Sequence, residues 1–373
     1  MILGIIASAC SGSGPQSSLE PEGPVAQDID DLWQFVLILA TIVLIIVMAA
    51  FLISLISFRE RRQDERRPKQ VHGNTRLEIA WTILPAVLLA VLAVPTVQGI
   101  FDLRTPPEGP GVLQVKVTGH QWWWEFEYPD ITADDGRSLI TANELHIPAG
   151  VPINLTMTSA DVIHSFWVPP LNGKRDVVPG RTSHLTLTAG VEAPPVDNGF
   201  GPGVILGQCA EFCGLAHADM RVRVFVQTPD EFDAWAEHQL TPAALPTEGA
   251  AAAGYDTFTQ VCTACHQATV AQADGSIETV GPENLIEPRG DAGAFRSSFG
   301  PNLTHFGSRT TFGSATFTNV TEHLSEWLAN PLDLKPMLPQ FNDIPEGRIL
   351  GMPDFGLSAD EIGGLVAMLQ GWE

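Results

Sequence analysis

The sequence predicts a multi-domain membrane protein: a two-helix transmembrane hairpin, an all-β sandwich and a separate C-terminal domain. Three observations carry this reading. Two long apolar runs, Trp33 to Phe58 and Ile79 to Phe101, fall early in the chain. A series of short alternating segments follows, from Val112 to about Gln227. Beyond it a Pro- and Ala-rich interval, "TPAALPTEGAAAAG", leads to a second cysteine pair in "YDTFTQVCTACHQA". A chain of 373 residues has room for two or three such cores.

The first residues, "MILGIIASACSGSG", run apolar and then small up to Cys10. They resemble the end of a lipoprotein signal with lipid on Cys10, although no positive n-region precedes them. An unmodified cysteine in an unstructured leader is the alternative. Residues 1–30 therefore read as leader and flexible lead-in. Each apolar run can cross roughly 30 Å of hydrocarbon at about 1.5 Å per residue. A buried soluble helix is rarely apolar on every side for that length. Pro85 and Pro95 are tolerated where neighbouring helices satisfy the freed carbonyls. Between the runs cluster Arg59, Arg61, Arg62, Arg66, Arg67, Lys69 and Arg76. The positive-inside rule puts that loop in the cytoplasm, so the hairpin of residues 31–104 has both ends outside. The formal net charge of -23 argues against nucleic acid and favours solubility or a basic partner.

The segments "VLQVKVTG", "ELHIPAG", "PINLTMTS", "HLTLTAG" and "RVRVFVQ" alternate or are rich in β-branched residues. That many short strands predict an antiparallel sandwich or barrel. "PDEFDAWAEHQL" then reads as a helix, with Pro229 early and acidic residues in its first turn. The sandwich domain is bounded at residues 105–240, and residues 241–253 read as a flexible linker.

The last sandwich loop, "QCAEFCGLAHADM", crowds Cys209, Cys213, His217 and Met220 together, and "DVIHSF" adds His164 from afar. The cysteines form one single and two close pairs, which is not a disulfide framework. A Cys209–Cys213 disulfide is one alternative in an oxidising compartment. Zinc could take two Cys and two His but has little use for a thioether. A blue-copper site would leave one cysteine surplus. Two thiolates, two imidazoles and a thioether instead suit two copper ions bridged by sulfur, which would let one electron spread over both.

With "GHQWWWEFEYPD" ahead of them, "DVIHSFWVP" and "GQCAEFCGLAHADM" resemble subunit II of haem-copper cytochrome c oxidases. The resemblance covers both apolar runs and the whole sandwich. It implies a cupredoxin fold and a binuclear CuA centre held by His164, Cys209, Cys213, His217, Met220 and the backbone carbonyl of Glu211. It also implies that the Glu211 carboxylate reaches a magnesium ion shared with subunit I, as suits a hard oxygen ligand. Trp122 occupies the position where electrons reach CuA in this family. Neighbours on a strand face opposite sides, so at least one residue of the tryptophan run packs within the sheet. Trp123 stands where tyrosine is more usual. Glu78, in "LEIAWTILP", resembles the glutamate that marks proton uptake into subunit I, a role suited to an ionisable group at the membrane boundary. A helix-capping role is its alternative.

In the C-terminal domain, residues 254–373, Cys262, Cys265 and His266 form the C-x-x-C-H pattern of c-type haem attachment, with His266 as proximal ligand. A redox C-x-x-C pair or half a zinc site is the alternative. The sixth ligand in such cytochromes is commonly Met. "MPDFGLSADEIGGLVAMLQ" resembles the end of an all-α class I cytochrome c domain and favours Met352. Met337 in "KPMLPQF" is the rival, while Met368 reads as core and His305 and His323 are weaker candidates. "FGPNLTHFG" resembles the loop whose proline, here Pro301, supports the proximal histidine. Residues 270–300 read as an insertion, because the spacing from His266 to Met352 is unusually long.

A subunit II with a fused cytochrome c resembles the caa3-type oxidases of bacterial cell membranes. The resemblance implies a relay from a cytochrome c or cytochrome bc complex through haem c and CuA to subunit I, with subunit III alongside. Oxygen would be reduced in subunit I, not in this chain. A nitrous oxide reductase-like protein would need a histidine-rich copper domain. A free-standing electron-transfer module would give Glu78 and Glu211 no purpose.

Overall fold

The computed structural model describes residues 14–59, 70, 72–107, 109–190, 201–282, 284–286, 295–297, 299–340 and 350–373. Cys10 and most of the basic loop lie outside the described residues. The chain divides into one unit of Gln27–Thr105 and a second that holds the sandwich, the C-terminal domain and the residues before Gln27.

The first unit is built on helices α1 (Pro24–Ser57) and α2 (Thr75–Asp102). Both are long and apolar enough to cross a membrane, and their membrane-length windows are wholly exposed. An apolar surface of that kind has no solvent to suit it but lipid. Asn74 caps α2, its side chain accepting from Arg76 N (3.2 Å) and Leu77 N (3.3 Å). The helix continues through Pro85 and Pro95.

The N-terminal lead-in is not free. Glu22 N donates to Pro170 O (2.7 Å) and Glu22 O accepts from Gly190 N (2.8 Å). A Cβ on Gly23 would lie 2.0 Å from Thr188 O, so only glycine lets the segment lie this close to the sandwich. The boundary expected at residue 30 therefore moves to Pro24, where the helix begins. Proline is preorganised for a first helical turn.

The sandwich follows. Its strands are β1 (Leu113–His120), β2 (Trp123–Thr132), β3 (Ser138–Ala142), β4 (Glu144–Pro148), β5 (Ile153–Ser159), β6 (His164–Trp167), β7 (Arg175–Val177), β8 (Ser183–Leu187), β9 (Val204–Cys209) and β10 (Arg221–Gln227). They form two five-stranded sheets, ordered β3-β2-β1-β5-β8 and β4-β10-β9-β6-β7. Each sheet is mixed, not purely antiparallel as expected: β1 pairs parallel with β5, and β4 parallel with β10. The packed sheets bury Val117, Trp124, Phe126, Leu145, Ile147 and Leu155. The result is a cupredoxin-like sandwich. Helix α3 (Pro229–Leu240) closes it, with a Thr228–Glu231 capping box and Phe232 and Ala236 buried.

The interval 241–253 is not a linker. Ala243–Ala244 forms strand β11, which pairs with β12 (Ala268–Ala271), and helix α4 (Gly249–Val261) begins inside the interval. Backbone groups that a flexible linker would leave to water are committed here to a ladder and a helix. Helix α4 crosses the last helix, α7 (Ala359–Gly371), at two glycines: a Cβ on Gly254 would lie 2.0 Å from Gly364 O. Between them lie α5 (Thr321–Ala329) and α6 (Pro331–Leu334).

The C-terminal domain is not all-α. Strand β12 pairs with β13 (Ile277–Val280), β14 (Asn284–Ile286) with β15 (Phe295–Ser297), and β16 (Thr311–Phe312) with β17 (Phe317–Thr318). Strands β13 to β15 fall in the expected insertion. The first hairpin turns at Asp274–Gly275, where Gly275 has φ +83° and Asp274 Oδ1 accepts from Ser276 N (2.9 Å). That turn chemistry, flanked by alternating residues, is a hairpin signal legible in the sequence.

Candidate functional site

Strand β6 and the loop between β9 and β10 bring the sulfur and imidazole donors together. Cys209 Sγ lies 3.8 Å from Cys213 Sγ, 4.0 Å from His164 Nδ1 and 3.3 Å from the Glu211 carbonyl oxygen. Cys213 Sγ lies 3.5 Å from His217 Nδ1 and 3.8 Å from Met220 Sδ. The two thiols thus form the middle of the cluster, with one imidazole beside each. A disulfide needs sulfurs at about 2.05 Å, and both cysteines are free. His164, Cys209, Cys213 and Met220 are buried, which keeps water from competing for a metal. This donor set fits a pair of soft metal ions. The structure brings His164, Cys209, Cys213, His217, Met220 and the Glu211 carbonyl into one cluster.

Electrostatics favour metal uptake. The hydrogen bond between the two sulfurs holds Cys209 well below the usual thiol range and pushes Cys213 above it. Burial alone would lower the His164 pKa, but bonds to Asp161 and the Cys209 sulfur outweigh it and raise it. Asp161 orients the ring through Oδ1–Nε2 at 2.8 Å, which turns Nδ1 toward the sulfurs. Gly119 makes room, since a Cβ there would lie 2.9 Å from the His164 ring.

The tryptophan run sits over this cluster. Trp122 Nε1–H donates to Cys213 O (2.9 Å), as does Gln121 Nε2 (2.7 Å), and Asp161 Oδ2 accepts from Gln121 N (2.6 Å). Trp123 stacks on His120 at 4.2 Å, and Trp124 meets His164 edge-on. All three indoles are buried, Trp122 to 4% exposure. The Glu211 side chain is exposed. Glu78, also exposed, accepts from Asn74 N at 3.3 Å and so completes the start of α2.

A second cluster lines a cavity in the C-terminal domain. Cys262 and Cys265 flank a short turn after α4, followed by His266. His266 Nδ1–H donates to Pro301 O (2.8 Å), which fixes the tautomer and leaves Nε2 as the free acceptor. Burial lowers the pKa of this ring, so it stays neutral. A Cβ on Gly300 would lie 2.5 Å from it. Cys262, Cys265, His266, Met337 and Met352 all line the cavity, and so does Trp122. Trp327 Nε1–H donates to Met352 Sδ (3.2 Å). His305 is engaged elsewhere, by Thr241 O (2.8 Å) and Glu373 O (3.1 Å), and His323 by Thr318 O (3.2 Å).

Sequence reasoning missed Asp161, Trp327, Glu144, Ser314 and Lys335. Asp161 had a local signal, three residues before His164. Lys335 had a fainter one, being the last lysine of the chain.

Fold and site together define a membrane-anchored β-sandwich with a buried soft-metal centre. Residues 113–227 match the periplasmic domain of cytochrome c oxidase subunit II, and residues 18–98 match its transmembrane domain. Cytochrome c oxidase subunit 2 of Alkalihalophilus pseudofirmus is 35% identical over 351 residues, 92% of this chain and 91% of that protein. The Bacillus subtilis protein of the same name is 30% identical over 351 residues, 90% and 89% of the two chains. Quinol oxidase subunit 2 of Bacillus cereus is 33% identical over 234 residues, 62% and 75%. The chain belongs to the cytochrome c oxidase subunit II family. It is therefore a membrane-anchored part of an oxidoreductase complex, and its role is electron transfer to subunit I.

Proposed function

We propose that the chain is subunit II of a caa3-type cytochrome c oxidase, carrying a binuclear CuA centre and one covalent haem c. His164, Cys209, Cys213, His217, Met220 and the Glu211 carbonyl hold the copper pair. Cys262 and Cys265 bind the haem, with His266 and Met352 as axial ligands. When bound, these groups supply one-electron redox chemistry. The chain's own part is to bury them, fix their ligands and bring them close. One observation carries the reading: Trp122 lines the cavity that holds Cys262, Cys265 and His266, while its indole N–H bonds the carbonyl of Cys213. Related subunits include both cytochrome c and quinol oxidases. The thiol pair and the C-x-x-C-H segment favour a cytochrome c or cytochrome bc complex as donor here.

The same reading places Glu211 at a magnesium ion shared with subunit I and Glu78 at proton uptake, with subunit III as a further partner. Both termini and both exported domains face away from the cytoplasm, with Cys10 as the lipid site. Metal and haem analysis of the purified complex tests the central assignment. Two coppers beyond those of subunit I and one covalent haem per chain are expected. One copper, or stoichiometric zinc, would sink it.

A further inference from the structure

Lys335 follows α6 and is 3% exposed. Its ammonium donates to Ser314 Oγ (2.6 Å), Trp122 O (3.1 Å), Asp219 O (3.2 Å) and Gly313 O (3.4 Å). Two of these acceptors belong to the C-terminal domain. The other two belong to the sandwich: one is the Trp122 peptide, and the other is one residue before the ligand Met220. A buried ammonium is costly unless strong acceptors surround it. Here four oxygens converge on its three N–H groups.

The backbone beneath it is strained. Gly313, Ser314 and Ala315 follow one another at φ +59°, +70° and +57°, a left-handed run that L-residues rarely adopt. This turn aims Gly313 O and Ser314 Oγ at the ammonium. The Ser314 hydroxyl also donates to Trp122 O, and Ser314 O accepts from Arg221 N (3.3 Å). Strained turn and buried charge therefore meet on one peptide, that of Trp122. Elsewhere along the same boundary the roles reverse. Glu144 of β4, 3% exposed, accepts from Thr310 N (3.0 Å), Thr310 Oγ1 (2.5 Å), Thr311 N (2.9 Å) and Thr311 Oγ1 (2.8 Å).

We infer that Lys335 is a positioning residue for electron passage, clamping the Trp122 peptide to the C-terminal domain so that Trp122 forms a fixed wall of the haem cavity. Its consequence for electron transfer rests on the haem and copper assignment proposed above. A domain that searched the surface on a tether would leave Trp122 and both buried charges in water for part of the time. The clamp replaces that search by one docked geometry, in which the Trp122 indole, its bond to Cys213 O and the Cys213 side chain form a continuous route.

The test uses the full oxidase complex with Lys335→Met, which keeps an unbranched apolar stem and removes the ammonium. Copper and covalent haem should match the wild type. Electron transfer from haem to CuA after photoreduction should slow on the order of ten-fold, as expected when a charged, buried hydrogen-bond network is lost. Amide exchange across residues 121–124 should quicken by a similar factor. Ser314→Ala, which keeps the charge and removes one acceptor, should move both readouts in the same direction but less. Wild-type transfer and exchange in Lys335→Met would overturn the clamp. If that variant does not fold, unchanged exchange in Ser314→Ala overturns it instead. A wild-type chain without haem overturns the haem assignment alone, because the exchange measurement decides the clamp without it.

Discussion

Cys213 is the residue on which the copper site turns. Its sulfur touches Cys209, His217 and Met220 at once, whereas Cys209 is served by His164 and the Glu211 carbonyl. Cys213→Ser should leave both imidazoles in place but remove the shared sulfur. Electron paramagnetic resonance should then show an electron localised on one copper or no copper signal, with the haem proposed at Cys262 and Cys265 unchanged. The two cavity methionines separate in the same way. Met352→Ala should abolish the near-infrared sulfur-to-iron charge-transfer band, and Met337→Ala should leave it; the reverse pattern would make Met337 the ligand. His146 of β4 offers a stability test outside both clusters. Its ring lies between Phe225 (4.5 Å) and Trp235 (4.0 Å), and burial lowers its pKa to about 4. The unfolded chain binds this proton near pH 6.5 and the folded one only near 4. Stability from this group is therefore complete above about 6.5 and is lost as pH falls toward 4, by on the order of 3 kcal/mol. His146→Phe keeps a stacked ring and removes the proton, so the melting temperature should fall less steeply across that window.

Among the elements, the crossing of α4 and α7 has the least tolerance. Gly254 and Gly364 let two backbones touch, and a single methyl on Gly254 would meet a carbonyl at 2.0 Å. Backbone cannot rotate away as a side chain can. Gly254→Ala should destabilise the C-terminal domain by about 1–3 kcal/mol, although alanine is the better helix former. Denaturant unfolding followed by the fluorescence of buried Trp372 would measure it, and an unchanged midpoint would refute the close crossing. Periodicity in the sequence finds both helices. The glycine contact between them is invisible without knowing which faces meet.

At the scale of the molecule, the sandwich and the C-terminal domain form one compact unit. Residues 241–253 pack with the C-terminal domain, and the buried Trp122 and Glu144 bond to it. Deleting residues 241–373 should leave a folded sandwich with two coppers, because the ligands and all of its buried core except Met337 lie within residues 106–240. The truncated complex should still turn over with artificial donors and lose most of its rate with the natural one. Natural-donor turnover at the intact rate would show that the C-terminal domain is not where electrons arrive.

The sequence by itself determined what is local or chemical. Long apolar runs, the period-two strands, the acidic first turn of the helix begun at Pro229 and the C-x-x-C-H spacing each announce themselves, because a few adjacent residues suffice to satisfy the physics. The proposed copper ligands could be read for the same reason: four of the side chains fall in one loop, and their softness limits the metal. What only the tertiary structure decided depends on residues distant in the chain. The parallel pairing of β1 with β5, the docking of Glu22 on the sandwich and the ordering of residues 241–253 have partners that local pattern cannot name. Lys335 is the extreme case. All its acceptors precede it in the chain, two by more than 100 residues and two by about 20. A lone lysine in an acidic domain reads as a surface charge until folding closes four oxygens around it.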